Sequence, residues 1–90
     1  MSKAYVDPAD LRRFSQELNR FNTEIGTLLG GLKARLSALE QTWRDQEQRK
    51  FTESFIDTMK VVGKFLDDSQ QHVGTLNKKA AIIEEYLKQR

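Results

Sequence analysis

Apolar residues recur along the first half of the chain at Leu11, Phe14, Leu18, Phe21, Ile25, Leu28 and Leu32, in alternating steps of three and four. A second step of four then leads to Leu36, and the row continues through Leu39 to Trp43. This spacing keeps one face of an α-helix apolar throughout, and the extra step of four is a stutter that locally unwinds a left-handed supercoil. A second row runs Phe51, Phe55, Met59, Val62, Leu66, Ser69, Val73, Leu76, Ala80, Ile83 and Leu87, with heptad spacing from Met59 onward and Ser69 as its one polar member. The pattern predicts a helix over about 8–43, a turn at 44–45 and a helix over about 46–88.

The ends of both rows carry helix signals. Asp7 is placed to accept from free amides as N-cap, Pro8 suits the first helical position, and Asp10 complements the positive end of the helix dipole. Residues 1–6 read as a loose lead-in. Asp45 with Gln48 three residues on is a capping box for the second helix, and Glu47 adds a favourable first-turn charge. The strongest loop signal inside the first helix is Gly30-Gly31. Two glycines cost a helix interior about 2 kcal/mol relative to alanines, so a continuous helix here implies a close crossing, with Gly26 and Gly30 on one face admitting a neighbour.

Two rows of this length joined by so short a turn must pack antiparallel. The fold class predicted is all-α: an antiparallel two-helix hairpin forming a single domain over 1–90. Its apolar surface is wider than one seam, because Leu29, Ile56, Val61, Phe65, Ile82 and Tyr86 flank the main rows. A lone hairpin would leave that surface wet, and its one seam would scarcely offset the entropy of ordering the chain. Dimerisation into a four-helix bundle follows, as a homodimer or as a heterodimer with a similar chain. Its core stripe comprises Leu11, Phe14, Leu18, Phe21, Ile25, Leu28, Phe55, Met59, Val62, Leu66, Val73 and Leu76.

Composition narrows the chemistry. Ninety residues, 38% hydrophobic and 31% charged, make one domain without a large closed core. The lack of cysteine removes disulfides, thiolate catalysis and cysteine-based zinc sites. Neither a signal-peptide apolar run near Met1 nor ~18 consecutive uncharged apolar residues occur, so no ordinary signal-directed export and no membrane span are expected. Lys plus Arg number 15 against 13 for Asp plus Glu, and each half of the chain, divided after Trp43, has an excess of one positive charge. The basic pairs Arg12-Arg13, Arg49-Lys50 and Lys78-Lys79 are interleaved with acids. Arg13 and Glu17, Arg20 and Glu24, Lys64 and Asp68, and Glu84 and Lys88 stand four apart, the spacing of solvated ion pairs rather than of a one-signed nucleic-acid stripe. His72, the single histidine, has Asp68 one turn before it, but two potential ligands do not make a metal site. No nucleophile, base and oxyanion donor assemble from the remaining residues, and the phenylalanines fall on or beside the rows, where core packing accounts for them. No catalytic, cofactor-binding or metal site is expected.

Two long amphipathic helices around a mid-chain Trp43-Arg44-Asp45 turn resemble the WXG family of early-secreted-antigen-like proteins, small substrates of type VII (Esx/Ess) secretion systems. The resemblance spans essentially the whole chain, with Asp45 where the family has glycine. Aspartate tolerates a left-handed backbone better than most residues and caps a helix better than glycine. The family's C-terminal export signal, Tyr-x-x-x-Asp/Glu, is matched by Tyr86 but not by Arg90, which stands in place of the acid. The resemblance implies a non-enzymatic hairpin acting through protein–protein contacts, as a secreted effector or a chaperone-like partner of one. It implies residence in the cytoplasm before export without a cleavable signal peptide, and contact with a secretion-system ATPase. A cytoplasmic structural or adaptor coiled coil with no role in secretion is the competing reading, since heptads and one tryptophan arise readily by convergence.

Overall fold

The computed structural model describes residues 6–89, which form α1, Pro8–Leu39, and α2, Gln46–Lys88, joined through residues 40–45. The helices run antiparallel in a rod measuring 68 × 23 × 16 Å. Of the anticipated lead-in, residues 1–5 lie outside the described residues, and Val6 is exposed.

α1 begins where the sequence signals place it. The Asp7 carboxylate accepts from the Ala9 N–H at 2.9 Å, and Pro8 takes the first helical position, where no amide is needed. Its end departs from expectation, because the helix stops at Leu39 rather than Trp43. Beyond Leu39 the backbone tightens: Gln41 N–H donates to the Ala38 carbonyl at 3.2 Å, and the Thr42 and Trp43 amides both donate to the Leu39 carbonyl, at 3.1 and 2.9 Å. The last orphan carbonyls of α1 are thereby satisfied inside the turn. The apolar row reaches Trp43, but its final residues serve chain reversal.

At the start of α2 only half of the expected capping box forms. Asp45 is extended, with φ −89° and ψ −175°, and its carboxylate accepts from the Gln48 N–H at 2.9 Å. The Gln48 side chain does not reach back to Asp45. Its amide donates instead to Glu40 Oε2 at 2.9 Å and to Thr52 Oγ1 at 2.8 Å, while the Thr52 hydroxyl donates to the same Glu40 oxygen at 3.1 Å. The end of α1 is thus hydrogen-bonded to the first two turns of α2, with Gln48 buried between them.

The seam between the helices is narrow and largely polar or small. Among the described residues, Val73 and Ala80 are its only buried apolar members, accompanied by Ser15, Asn22 and Ser69. The Ser15 hydroxyl donates to the Val73 carbonyl at 3.3 Å and the Ser69 hydroxyl to Asn22 Oδ1 at 2.9 Å. Asn22 Nδ2 donates to Gln70 Oε1 at 3.3 Å, and Gln70 Nε2 to Asn19 Oδ1 at 3.0 Å. Every buried side-chain polar atom among the described residues has a partner, which removes the desolvation penalty that polar burial would otherwise carry. Leu11, Leu18, Ile25, Leu29 and Leu36 of α1 border this line half-buried, as do Phe55, Met59, Val62, Leu66, Leu76 and Ile83 of α2. Phe14, Phe21 and Leu28, grouped with these in the anticipated stripe, are not in the seam but exposed beside it.

α1 runs unbroken through Gly26, Gly30 and Gly31, none of which has positive φ. The expected close crossing is not there: a methyl group at any of the three would meet nothing within 4 Å. Their cost is therefore uncompensated within the hairpin. Gly30→Ala should raise stability by about 0.5–1 kcal/mol, read as a higher midpoint in urea unfolding, through reduced unfolded-state entropy and better helix propensity. An unchanged or lowered midpoint would show that this face is covered.

Candidate functional site

The residues left outside the seam are not scattered. At about 100° per residue, Phe14, Phe21, Leu28, Leu32 and Leu39 project within about 40° of one direction from α1, and all are exposed. Phe51, Val61 and Phe65, also exposed, spread over about 80° on α2. Phe14 and Leu18 line one open groove together with Phe65, Ser69, His72 and Leu76, so the two rows lie side by side on a single face of the hairpin. Asp68, Thr75 and His72 make the α2 side of that groove polar.

The opposite face differs in kind. Arg12 reaches across it to Glu84 in a bidentate pair, Nε and Nη2 each donating at 2.8 Å, and the Asn19–Gln70 bridge lies on the same side. The pair holds the Glu84 carboxyl below its ordinary range, chiefly through the hydrogen bonds from Arg12, with partial burial opposing and the positive charges of Arg12 and Lys88 assisting. Of the four intrahelical pairs expected from spacing, Arg20–Glu24 and Lys64–Asp68 form at 3.2 and 3.4 Å. Arg13 turns to Asp10 instead of Glu17, and Glu84 is taken by Arg12 rather than Lys88.

At the turn, Trp43, Arg44 and Asp45 come together as a compact reversal. The half-buried Trp43 ring lies 6.0 Å from Phe51, and Phe51 stacks on Phe55 at the same separation with an interplanar angle of 20°. Arg44 Nε donates to the Glu40 carbonyl at 3.2 Å, adding a cation at the negative end of α1. The backbone explains why aspartate is accommodated here: φ at Asp45 is negative, so the position has no need of glycine, and its carboxylate caps α2. Tyr86 projects from the last turns of α2 with 67% exposure, whereas Arg90 lies outside the described residues.

Periodicity missed Ser15, Asn22, Asn19 and Gln70 in the seam region and the Arg12–Glu84 and Glu40–Gln48–Thr52 ties. One signal was available: Ser15, Asn22, Leu29 and Leu36 form a seven-residue repeat offset by one position from Phe14, Phe21 and Leu28. Among the described residues, no cluster of three or more His, Cys, Asp or Glu is arranged to hold a metal, and no helix is long and apolar enough to cross a membrane. This arrangement offers a contact surface and a structured turn.

The family model WXG100, described as proteins of 100 residues with WXG, matches residues 4–86. No curated protein matches the chain significantly.

Two predictions test the turn and the cross-helix pair. Asp45→Gly, which restores the family residue, should cost only a few tenths of a kcal/mol, whereas Asp45→Ala should cost about 1 kcal/mol, both read from denaturant midpoints. A large loss with glycine would mean that Asp45 makes a contact besides the cap. Because the Glu84 carboxyl is lowered in the folded state, its contribution is present above the ordinary glutamate range and lost as pH falls through the lowered folded-state value. Glu84→Gln should therefore flatten part of the acid limb of the stability profile below about pH 4.5, leaving the profile's shape near neutrality unchanged.

Proposed function

This chain belongs to the WXG100 family, small helical proteins of the type associated with type VII secretion, and on that premise we propose that it serves such a system as a secreted effector or as the chaperone-like partner of one. It acts without chemistry of its own, through protein–protein contact. The observation that carries this reading is the continuous apolar face of Phe14, Phe21, Leu28, Leu32 and Leu39 beside Phe51, Val61 and Phe65. A hairpin of this size has no second seam in which to hide those side chains, and contiguous apolar surface of this extent marks an interaction site. A second hairpin laid on it, from the same or a similar chain, completes a four-helix bundle.

Before export the bundle resides in the cytoplasm. Tyr86 supplies the accessible aromatic part of a tail signal read by the secretion ATPase, and Arg90 replaces its acidic part. The aromatic turn at Trp43 and Phe51 gives the bundle end a fixed shape for the same kind of recognition.

The test is export itself. In the producing organism the chain should accumulate in the culture medium, disappear from it when the FtsK/SpoIIIE-type secretion ATPase is deleted, and fall there when Tyr86→Ala is introduced, with cytosolic levels maintained. Equal distribution with and without the ATPase would overturn the assignment in favour of a cytoplasmic adaptor coiled coil.

A further inference from the structure

Between Asn22 and Gln48, and again between Gln48 and Ser69, no residue of the hairpin is buried. The small seam residues give way there to Leu29 and Leu36 on α1 and to Phe55, Met59 and Val62 on α2, all only half-buried. Helix separation follows the side chains at the contact, and along this stretch an open groove of about 460 Å³ runs between the helices. Leu36, Phe55, Ile56 and Met59 line it, with Ile56 47% exposed. Ser37, on its α1 bank, projects within about 20° of Asn19 and Arg12, so the groove lies on the face of the Arg12–Glu84 pair, away from the Phe14–Phe21–Leu28 row. The Glu40–Thr52 bond closes its end at the turn, and Lys33 and Lys60 stand at the other. The Asn22–Ser69 and Glu40–Thr52 bonds set a register that brings these two lysines level, one on each bank. Both are exposed, and neither is paired with an acid among the described residues.

We propose that this groove binds an amphipathic helix of a different protein, its apolar side chains on Leu36, Ile56 and Met59 and its acidic C-terminal turn between Lys33 and Lys60. The stretch from Lys33 to Glu40 is about 12 Å long at ~1.5 Å per residue, which accommodates two helical turns. A groove between two helices is read by apolar side chains three or four residues apart. Charge gives the direction: two unpaired cations face the acidic turn and the negative end of the incoming dipole, while the Glu40 carboxylate faces its amide end. The same charges disfavour a second copy of this chain. Its exposed apolar pair outside the long rows, Ile82 and Tyr86, is flanked by Lys78, Lys79 and Lys88, and Glu84 is already held by Arg12, which leaves Glu85 against three lysines. A contact of this size is small enough to be reversible. Because it uses none of the Phe14–Phe21–Leu28 row, the groove stays open when that row is covered, and one chain can hold two partners at once.

The test uses the full chain and fluorescein-labelled helical peptides about three turns long, with leucines four residues apart and a C-terminal turn of glutamates, glutamines or lysines. By fluorescence anisotropy the glutamate peptide should bind saturably and the lysine peptide at least ~10-fold more weakly, with the difference shrinking at high salt. Lys33→Glu combined with Lys60→Glu should reverse that order, a gain of binding that misfolding cannot produce. Ile56→Ser should weaken the glutamate peptide several-fold, whereas Phe21→Ser on the far face should leave it unchanged. Failure of all the peptides to bind, equal binding of all, or loss through Phe21→Ser but not Ile56→Ser would overturn the proposal. Saturable binding of dodecanoate with no peptide bound would overturn it in favour of a small amphiphile. Self-association of the unaltered chain that Ile56→Ser abolishes would overturn it in favour of a second copy. None of these results bears on export, which is tested separately through the secretion ATPase.

Discussion

Two helices share a single line of contact, and in this hairpin that line is occupied by Ser15, Asn22, Ser69, Val73 and Ala80. The rest of the structure depends on this choice. Small side chains let the helices lie close, and the polar ones must each find a partner because an unsatisfied buried group costs about 1–3 kcal/mol. The Ser69–Asn22 and Ser15–Val73 hydrogen bonds meet that requirement in one register only. Sliding α1 past α2 by a turn would leave these groups facing apolar neighbours. The seam therefore supplies specificity more than stability, and the large apolar residues are left for another surface.

That division makes the two faces of the hairpin chemically unlike. On one, the Arg12–Glu84 pair and the Asn19–Gln70 bridge tie the helices together with groups that remain in contact with water. On the other, aromatic and aliphatic side chains project without cross-helix ties, apart from the groove shared by Phe14 and Phe65. The first face is not wholly polar, since nearer the turn an open groove there is lined by Leu36, Phe55, Met59 and the exposed Ile56. Covering the second removes apolar surface from water at about 25 cal/mol per Å². The longer exposed apolar row of α1 lies on the second face, and the Glu40–Gln48–Thr52 network ties the two helices together at the turn.

How much of this was legible in the sequence depends on the helix. α2 was read with its observed bounds, because Asp45 marks its start and because Met59, Val62, Leu66, Ser69, Val73 and Ala80 form one row that is also the seam. In α1 the most hydrophobic row and the seam row differ by a single position. Periodicity weighs hydrophobicity, and so it selects Phe14, Phe21 and Leu28. Packing weighs fit and hydrogen bonding, and so it selects Ser15 and Asn22. The end of α1 was misplaced for a related reason: Trp43 continues the apolar spacing in sequence, but the carbonyl of Leu39 already bonds to the Thr42 and Trp43 amides of the turn. The reciprocal half of the capping box failed because Glu40, close by only in the folded hairpin, competes for the Gln48 amide. The turn was legible only in part: expected at 44–45, it spans 40–45, and Asp45 alone acts as anticipated, as the N-cap of α2.

The two departures from the family pattern are not equivalent. Aspartate for glycine at position 45 falls where the backbone is extended and φ is negative, so the exchange trades conformational freedom for a capping carboxylate and leaves the path of the chain unchanged. It is absorbed by the fold. Arginine for an acid at position 90 falls in the tail, beyond the Arg12–Glu84 tie that holds α2 against α1. Reversed rim charges act mainly on encounter and on the choice of partner rather than on core affinity. The exchange at the turn thus preserves architecture, and on the proposed reading it is the tail, with Tyr86 exposed in the last turns of α2, that bears on recognition.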